Sequence, residues 1–269
     1  MPILRKVWAF VRRDFLQMAS YRTNFVFSML GILFSSLTFF FFSRLVPQDT
    51  IDLAPYGGAY FPFALVGIAF YQFLGAGLGS LSESISRAQT TGTLEALLVT
   101  PTSLTTIIFS STIFGFVFAA LRVLVYLILG SLVFHVSLAR ANVPVALFVL
   151  VLSTVNFLAI GMLSASWVMV FKGGSPTGFV FGGISGLLSG VLFPRSVLFP
   201  WMRPLSMVLP LTHALEAMRR SVIVGEGWAE LWPSILALLV FAAVLTPAGV
   251  AAFGLAVRRA KRTGSLVQY

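Results

Sequence analysis

Residues 25–43 read FVFSMLGILFSSLTFFFFS, a run of 19 residues without a charged side chain that ends at Arg44. A helix rises about 1.5 Å per residue, so a run of this length nearly covers a hydrocarbon core about 30 Å thick. In water the same run would leave a continuous apolar surface around the whole helix. The stretch therefore predicts a membrane-spanning helix.

The same pattern recurs along the chain, with polar or proline-containing segments between the apolar runs. Such runs are typical of polytopic helical membrane proteins, because a helix satisfies all its backbone hydrogen bonds internally. The sequence predicts an all-α protein with six transmembrane helices in one domain, 25–257. The predicted spans are 25–44, 57–82, 104–136, 143–171, 176–193 and 234–257.

The composition of the 269 residues agrees with a membrane protein and excludes a soluble enzyme. Hydrophobic residues make up 58% of the chain and charged residues 10%, and the mean hydropathy is +0.97. So few charges cannot cover a water-facing surface of this size. The absence of cysteine excludes a disulfide framework and a thiolate nucleophile.

The net charge of +10 is best explained as a topology signal and not as a nucleic-acid surface. With six spans, 11 of the 18 Lys and Arg residues fall on the side of both chain ends and 6 on the opposite side, and Arg122 falls within a span. The positive-inside rule therefore predicts that both termini are cytoplasmic.

Two basic segments flank the predicted spans. Residues 1–24 alternate basic and apolar side chains at spacings near three and four, which predicts an amphipathic helix on the membrane surface. Residues 258–269 form a basic cytoplasmic tail. The residues that define the first segment are Arg5, Lys6, Trp8, Arg12 and Arg13.

Two polar or broken segments separate the spans. Residues 83–101 predict a helical hairpin loop, with a short helix that breaks at Gly92 and restarts at Thr93. Residues 194–232 contain four prolines that divide apolar pieces too short to cross a bilayer. This second pattern favours re-entrant or interfacial half-helices.

Three motifs, in this arrangement of spans, resemble the transmembrane subunits of ABC-2 type ABC exporters. They are GTLEALLVTP at 92–101, Phe193-Pro194 after the fifth run, and LPLTHALEAMR at 209–219. The resemblance covers nearly the whole chain. It implies the ABC-2 exporter fold, a multi-pass protein of the bacterial inner membrane, and outward transport driven by a partner.

The resemblance implies that the 83–101 loop forms the coupling helix that docks into the ATPase, and that the N-terminal helix also contacts it. A merely solvated loop is the alternative. The residues expected to couple are Glu83, Ser84, Ile85, Arg87, Gly92, Thr93, Leu94, Glu95 and Leu98.

The proline-broken segment corresponds, by the same resemblance, to an outer gate that caps the translocation path. His213, Glu216 and Arg219 share helical spacings and predict a polar cluster, which serves as a structural cap or as a proton switch. The expected gate residues are Phe193, Pro194, Pro210, His213, Glu216 and Arg219.

Some residues within the spans are candidates for the path itself. Aromatic residues at such positions also face lipid or the protein core, and Arg122 either lines a cavity or pairs structurally near the membrane surface. The candidates are Phe39, Phe40, Phe70, Tyr71, Phe73 and Arg122.

The sequence contains no Gly-x-x-x-x-Gly-Lys-Ser/Thr motif, so we expect a transport subunit that is not itself an enzyme. The implied partners are two ABC ATPase subunits that carry ATP and Mg²⁺, a second permease copy and the lipid bilayer. No catalytic residue, metal site or bound cofactor is predicted in this chain, and no nucleic-acid partner.

The apolar spans favour an amphipathic, drug-like or lipid-linked cargo. A polysaccharide or lipo-oligosaccharide exporter of the same fold is the alternative. Residues 183–186 also match the Gly-x-Ser-Gly pattern of rhomboid intramembrane proteases, but neither histidine falls where it could activate Ser185. A rhomboid-like serine protease is therefore a distant alternative.

Overall fold

The computed structural model describes residue 12 and residues 22–45, 52–90, 104–171 and 179–262. These residues form helices and short connections, with no strand among them. The α-helices are α1 (Arg22–Leu45), α2 (Tyr60–Thr90), α3 (Leu104–Leu132), α4 (Val143–Phe171), α5 (Ser185–Leu188), α6 (Met202–Met207), α7 (Pro210–Arg219) and α8 (Trp228–Arg262).

Five of these helices are long and apolar enough to cross a membrane, and they coincide with five of the six predicted spans. They are α1, α2, α3, α4 and α8. The all-helical prediction is thus confirmed for the described residues. The agreement has a physical reason. In an apolar solvent, a charge-free run of about 20 residues can make all its backbone hydrogen bonds internally only as a helix.

The predicted fifth span, 176–193, differs from the other five. Its described part is a π-helical turn, Phe179–Ile184, followed by the four-residue α5. Ten residues rise only about 15 Å, roughly half of a hydrocarbon core. Glycines lower helix propensity in this stretch, and Gly190 adopts a φ of +75° that a helix cannot continue. The six-span layout therefore stays a prediction.

The boundaries of α2 also differ from the predicted ones. The helix begins at Tyr60, because Gly57 and Gly58 have φ angles of +82° and +76° and close a short 3-10 turn, Ala54–Tyr56. It does not stop at Ser82 but continues through Glu83 to Thr90, since no glycine or proline occurs between Gly79 and Gly92. Span two and the start of the predicted loop form one helix.

The contacts fix the directions of the helices. Gln72 meets Tyr126 and Gly77 meets Phe116, so α2 and α3 are antiparallel. Along α4 and α8, Phe148 lies against Trp228 and Asn156 binds Leu238, so these two helices are parallel. We call the upper end the one that carries Leu45, Tyr60, Leu132, Val143 and Trp228, and the lower end the opposite one.

The core lies between α2, α3 and α4. Phe73 contacts the rings of Phe116 and Phe157 at centroid distances of 5.6 and 5.9 Å. Gly77 allows the close approach of α4, because a Cβ there would lie 2.7 Å from the Cβ of Phe157. Tight packing through a small residue is the usual basis of helix association in membranes.

The short helices α6 and α7 occupy the proline-broken segment. Pro210 is at the first turn of α7, where its missing N–H costs nothing, and Leu209 before it is extended. The ring of His213 lies 5.8 Å from that of Phe241, which is more than three turns along α8 from Trp228, whereas Ser221 O accepts a hydrogen bond from Asn142 N at the upper end. The α7 helix therefore runs from within the bundle to its upper end.

Candidate functional site

A buried arginine at the end of α7 joins three parts of the fold. Arg219 is only 3% exposed, and its guanidinium donates three hydrogen bonds to backbone carbonyls. The Nε bonds Phe63 O of α2 at 3.0 Å. The two Nη atoms bond Gly190 O at 2.8 Å and Val191 O at 2.6 Å, just after α5. Arg219 thus ties α7 to α2 and to the end of α5.

The surroundings of Arg219 offset the cost of burying a cation. Its Cζ lies 3.5 Å from the centroid of the Phe63 ring, within the range of a cation-π contact. A planar guanidinium with five donors can satisfy several carbonyls at once, which an ammonium cannot do in the same geometry. An unpaired charge at this depth would cost several kcal/mol, by the usual order of magnitude.

Two glycines make room for this arrangement. A Cβ at Gly67 would lie 3.0 Å from the carbonyl carbon of Val191, and closer still to Val191 O and Arg219 Nη2. Gly190 adopts its left-handed conformation at the point where the chain leaves α5. Both glycines are needed for backbone and guanidinium to approach so closely.

Glu216, one turn before Arg219, is the centre of a second polar group. Its carboxylate accepts a hydrogen bond from the Tyr56 hydroxyl at 2.5 Å. Arg195 and Arg220 each have a guanidinium nitrogen 3.7 Å from one of its oxygens. Arg220 Nε also lies 2.7 Å from Glu226 Oε2. This group links the 3-10 turn before α2 to α7 and to the π-helical turn after it, Arg220–Val224.

Burial raises the pKa of Tyr56, and the Glu216 carboxylate raises it further. The phenol therefore stays protonated and donates to Glu216 throughout the physiological range. Tyr56 lies in the turn before α2, outside the spanning helices.

His213 takes no part in either polar group. Its Nε2 lies 2.9 Å from Met207 O, and its ring faces Phe241. Of the predicted cluster, the structure thus brings Glu216 and Arg219 to the same region and leaves His213 apart. Pro194 is buried, and Phe193 packs on the small cluster of Leu188, Leu198 and Leu209.

Arg122 belongs to a different group, near the middle of α3. Its Cζ lies 4.6 Å from the centroid of the Phe118 ring, and its Nε is buried without a hydrogen-bond partner among the described residues. Gln72 donates a hydrogen bond of 2.5 Å to the hydroxyl of Tyr126, one turn further along α3. No pattern in the sequence pairs Gln72 with this group.

The candidate path aromatics separate into two sets. Phe70 and Phe73 are 0% and 1% exposed and belong to the core. Phe39, Phe40 and Tyr71 are half-buried. The Tyr71 hydroxyl donates to Gly182 O at 3.2 Å and so holds the π-helical turn against α2.

Much of the predicted coupling and connecting surface lies outside the described residues. The positions concerned are Arg5, Lys6, Trp8, Arg13, Gly92, Thr93, Leu94, Glu95 and Leu98. Arg12 is described alone, helical and exposed. Glu83, Ser84, Ile85 and Arg87 lie on the last two turns of α2.

The structure offers no support for a serine protease. Ser185 is buried at the start of α5, and no hydrogen bond between its hydroxyl and a histidine occurs among the described side chains. His135 lies at the upper end, beyond α3. Over the same ranges of the chain, no three His, Cys, Asp or Glu residues converge to hold a metal ion.

Sequence reasoning missed Tyr56, Phe63 and Gly67 as partners of the α7 residues. One signal for the burial of Arg219 was present, because Leu211, Leu215 and Arg219 fall at intervals of four and share one helix face. All three are buried. A cation on the apolar face of a helix predicts a buried partner, although not which one.

The protein has several long apolar helices, and a broken segment is held against them by the hydrogen bonds of the buried Arg219. This architecture is that of a polytopic membrane protein. The chain belongs to the ABC-2 type transporter family, because the model of that family matches residues 5–223. Members of this family are membrane subunits and not enzymes themselves. Family and apolar helices together identify a multi-pass membrane protein.

Two relatives carry a more specific name. Over 172 residues, 64% of this chain, it is 24% identical to the "Probable multidrug ABC transporter permease YbhR" of Escherichia coli strain K12. The match to the protein of the same name from Escherichia coli O157:H7 has the same identity and extent. The matched stretch covers 46% of these relatives, so the chain spans less than half of their length.

Proposed function

We propose that this chain is the permease subunit of an ATP-driven ABC exporter, in which separate ATPase subunits supply the energy. The observation that carries the proposal is the family match over residues 5–223, because that family consists of membrane subunits of ABC transporters. In this proposal two ATPases bind ATP and Mg²⁺, and a second permease copy completes the path. The protein lies in the bacterial inner membrane with both termini in the cytoplasm.

The geometry supports a specific route from motor to gate. The α2 helix is continuous over 31 residues, about 46 Å, from the upper end to Thr90. Its lower end leads directly into the predicted coupling run, 92–101, and Phe63 near its upper end accepts the Arg219 hydrogen bond. An unbroken helix transmits tilt over its whole length, so movement of the coupling run reaches α7 through Phe63 and Arg219.

In this mechanism the α5 to α7 segment is the outer gate. Arg219 and Glu216 hold α7 against α2 and against the turn at Ala54–Tyr56 in the conformation described. When ATP binding brings the motors together, α2 tilts and carries α7 with it, which opens the path on the outer side. The residues of this chain supply positioning, and the energy comes from the partner.

For cargo, we propose an amphipathic, drug-like or lipid-linked molecule. The multidrug name of the two relatives supports a drug-like cargo, and the apolar spans suit a molecule that enters from the bilayer. A polysaccharide or lipo-oligosaccharide would need a wide polar path instead.

The test is co-purification and coupling. The chain is expressed with the ABC ATPase encoded beside it, the complex is reconstituted into nanodiscs, and ATP hydrolysis is measured with and without an amphipathic dye. We expect a stable complex and dye-stimulated hydrolysis. Replacing Gly92, Thr93 and Glu95 together by alanine should abolish the stimulation, while the same number of alanines at Thr263, Ser265 and Gln268 should not. Failure of complex formation, or full stimulation in the first variant, would contradict the proposal.

A further inference from the structure

A cavity of about 620 Å³ opens at the upper end, separate from the Arg219 site. It lies between the end of α1, the turn before α2 and the connection after α3. Its volume is within the range of small-molecule sites, about 300–1,000 Å³. Its lining includes Phe40, Arg44, Phe61, Phe134, His135 and Arg140.

Three aromatic rings form an apolar side of this cavity. Phe40 contacts Phe61 and Phe134 at centroid distances of 5.4 and 5.0 Å, and Phe61 contacts Phe134 at 4.9 Å. The rings come from α1, α2 and the connection after α3, so their mutual packing makes a fixed surface. Such a surface accepts the aliphatic part of an amphipathic molecule.

Cationic groups form the other side. Arg44 lies with its Cζ 5.1 Å from the centroid of the Phe40 ring, and Arg140 also lines the cavity. No Asp or Glu occurs among the lining residues, and neither arginine has an ion-pair partner within the described ranges. Asp52, in the turn before α2, accepts a hydrogen bond from Ala54 N–H on its Oδ1 at 3.2 Å.

The position of Arg140 is fixed by its backbone. Gly225 has a φ of +88° and lies so close to Arg140 that a Cβ there would be 3.1 Å from the Arg140 carbonyl carbon. This contact holds the connection after α3 against the end of the π-helical turn. The backbone of Arg140 is therefore held in place at the rim of the cavity.

We propose that this cavity binds the phosphate group of an anionic molecule, with Arg44 and Arg140 as the phosphate ligands and the aromatic surface as the site of the adjoining apolar part. Guanidinium groups bind phosphate oxygens through paired, charge-assisted hydrogen bonds. The phosphate belongs either to a phospholipid headgroup or to a water-soluble phosphate. The proposal does not depend on export, because the purified chain alone contains the site.

The experiment measures binding to the full chain in a neutral detergent by isothermal titration calorimetry. The probes are dihexanoyl phosphatidylglycerol, dihexanoyl phosphatidylcholine and inorganic phosphate. We expect phosphatidylglycerol to bind more tightly than phosphatidylcholine, because the latter carries a cation beside its phosphate. The double variant Arg44→Gln/Arg140→Gln should weaken phosphatidylglycerol binding by about tenfold or more.

Two controls separate this site from general charge attraction. Arg258→Gln/Arg262→Gln removes the same charge from exposed positions at the lower end, and Arg44→Lys/Arg140→Lys keeps the charge at the cavity. The first should bind phosphatidylglycerol within about twofold of the wild type, and the second should lose less than the glutamine pair. Since Arg44 is exposed, Arg44→Gln alone gives a folded variant with a smaller loss in the same direction.

The probes also distinguish the two sources of phosphate. If inorganic phosphate displaces the lipid and Phe134→Leu leaves phosphate binding unchanged, the site accepts a soluble phosphate. If phosphate does not compete and Phe134→Leu weakens only the lipid, the source is a headgroup. Wild-type affinity in the glutamine pair, or an equal loss in both charge-removing pairs, overturns the proposal.

Discussion

Gly67 of α2 leaves open the space that the Arg219 guanidinium fills. A Cβ at Gly67 would overlap Arg219 Nη2 and the carbonyl group of Val191. Because Gly67 has no side chain, α2 and the end of α5 can both approach the Arg219 guanidinium of α7.

Gly67→Ala should therefore destabilise the chain, although alanine is the better helix former. We expect a loss of about 1–3 kcal/mol, typical of overpacking, measured by thermal unfolding in detergent. The matched control is Gly75→Ala on the same helix, where a Cβ would meet nothing within 4 Å. Equal stability of the two variants would contradict the close approach at Gly67.

Arg219→Gln should cost more, about 3–5 kcal/mol, because a shorter neutral side chain leaves buried carbonyls without donors. Arg219→Lys should recover only part of the loss, since an ammonium cannot reach Phe63 O, Gly190 O and Val191 O together. Hydrogen exchange should rise in residues 190–225. An unchanged exchange pattern in Arg219→Gln would rule out the role of Arg219 in holding α7.

Tyr56→Phe removes the hydrogen bond to Glu216 and should cost about 1.5–3 kcal/mol. Tyr60→Phe is the control, since the described residues show no hydrogen bond from the Tyr60 hydroxyl.

The pKa of Tyr56 is higher in the folded chain than its ordinary value of 10.0. A raised pKa gives a contribution that is complete below the unfolded pKa and is lost as the pH rises through the folded one. The stability difference between wild type and Tyr56→Phe should thus stay constant from neutral pH to about pH 9 and fall only above about pH 10. A steep change between pH 6 and 8 would assign the effect to another group.

Gly75→Pro should separate the motor from the gate. Proline in the middle of α2 breaks the backbone ladder between Thr90 and Phe63, at a local cost of about 3 kcal/mol. We expect the complex with the ATPase to form and basal hydrolysis to persist, while dye stimulation is lost. Gly75→Ala keeps the helix and should keep the stimulation. Stimulation that survives in Gly75→Pro would argue against α2 as the transmitting element.

Arg122→Leu should behave in the opposite way to Arg219→Gln. Its Nε has no hydrogen-bond partner in the described part of the chain, so removing the guanidinium should leave the chain equally stable or more stable by about 1 kcal/mol. Transport of an amphipathic dye then decides its role, because a structural cation would leave transport intact and a path-lining cation would not. A clear loss of stability would show a partner that the described residues do not contain.

The spanning helices could be predicted because charge-free runs such as 143–171 must be helical in an apolar solvent. The α4 helix has the predicted bounds, Val143–Phe171. The fifth run, 176–193, could not be predicted in the same way. Its glycines do not lower the hydropathy of the run, but the left-handed Gly190 does not fit a straight helix.

The polar groups at the upper end could be predicted only in part. The spacing of Glu216 and Arg219 placed them on one helix, whereas their partners Tyr56 and Phe63 lie more than 150 residues earlier. Contacts over such a distance in sequence leave no local periodicity. The hydrogen bond uses the backbone carbonyl of Phe63, moreover, which every residue of a span has.

The α4 and α8 helices are parallel, so the chain between them has to return from one end of the bundle to the other. Because α4 ends at the lower end and α8 begins at the upper end, the stretch between Phe171 and Trp228 must carry the chain back across the bundle. The broken segment with α5 to α7 therefore lies on the return path from the lower to the upper end, as the predicted six-span layout requires. Since α1 begins and α8 ends at the lower end, the first and the last of the five long apolar helices leave the bundle at the same end.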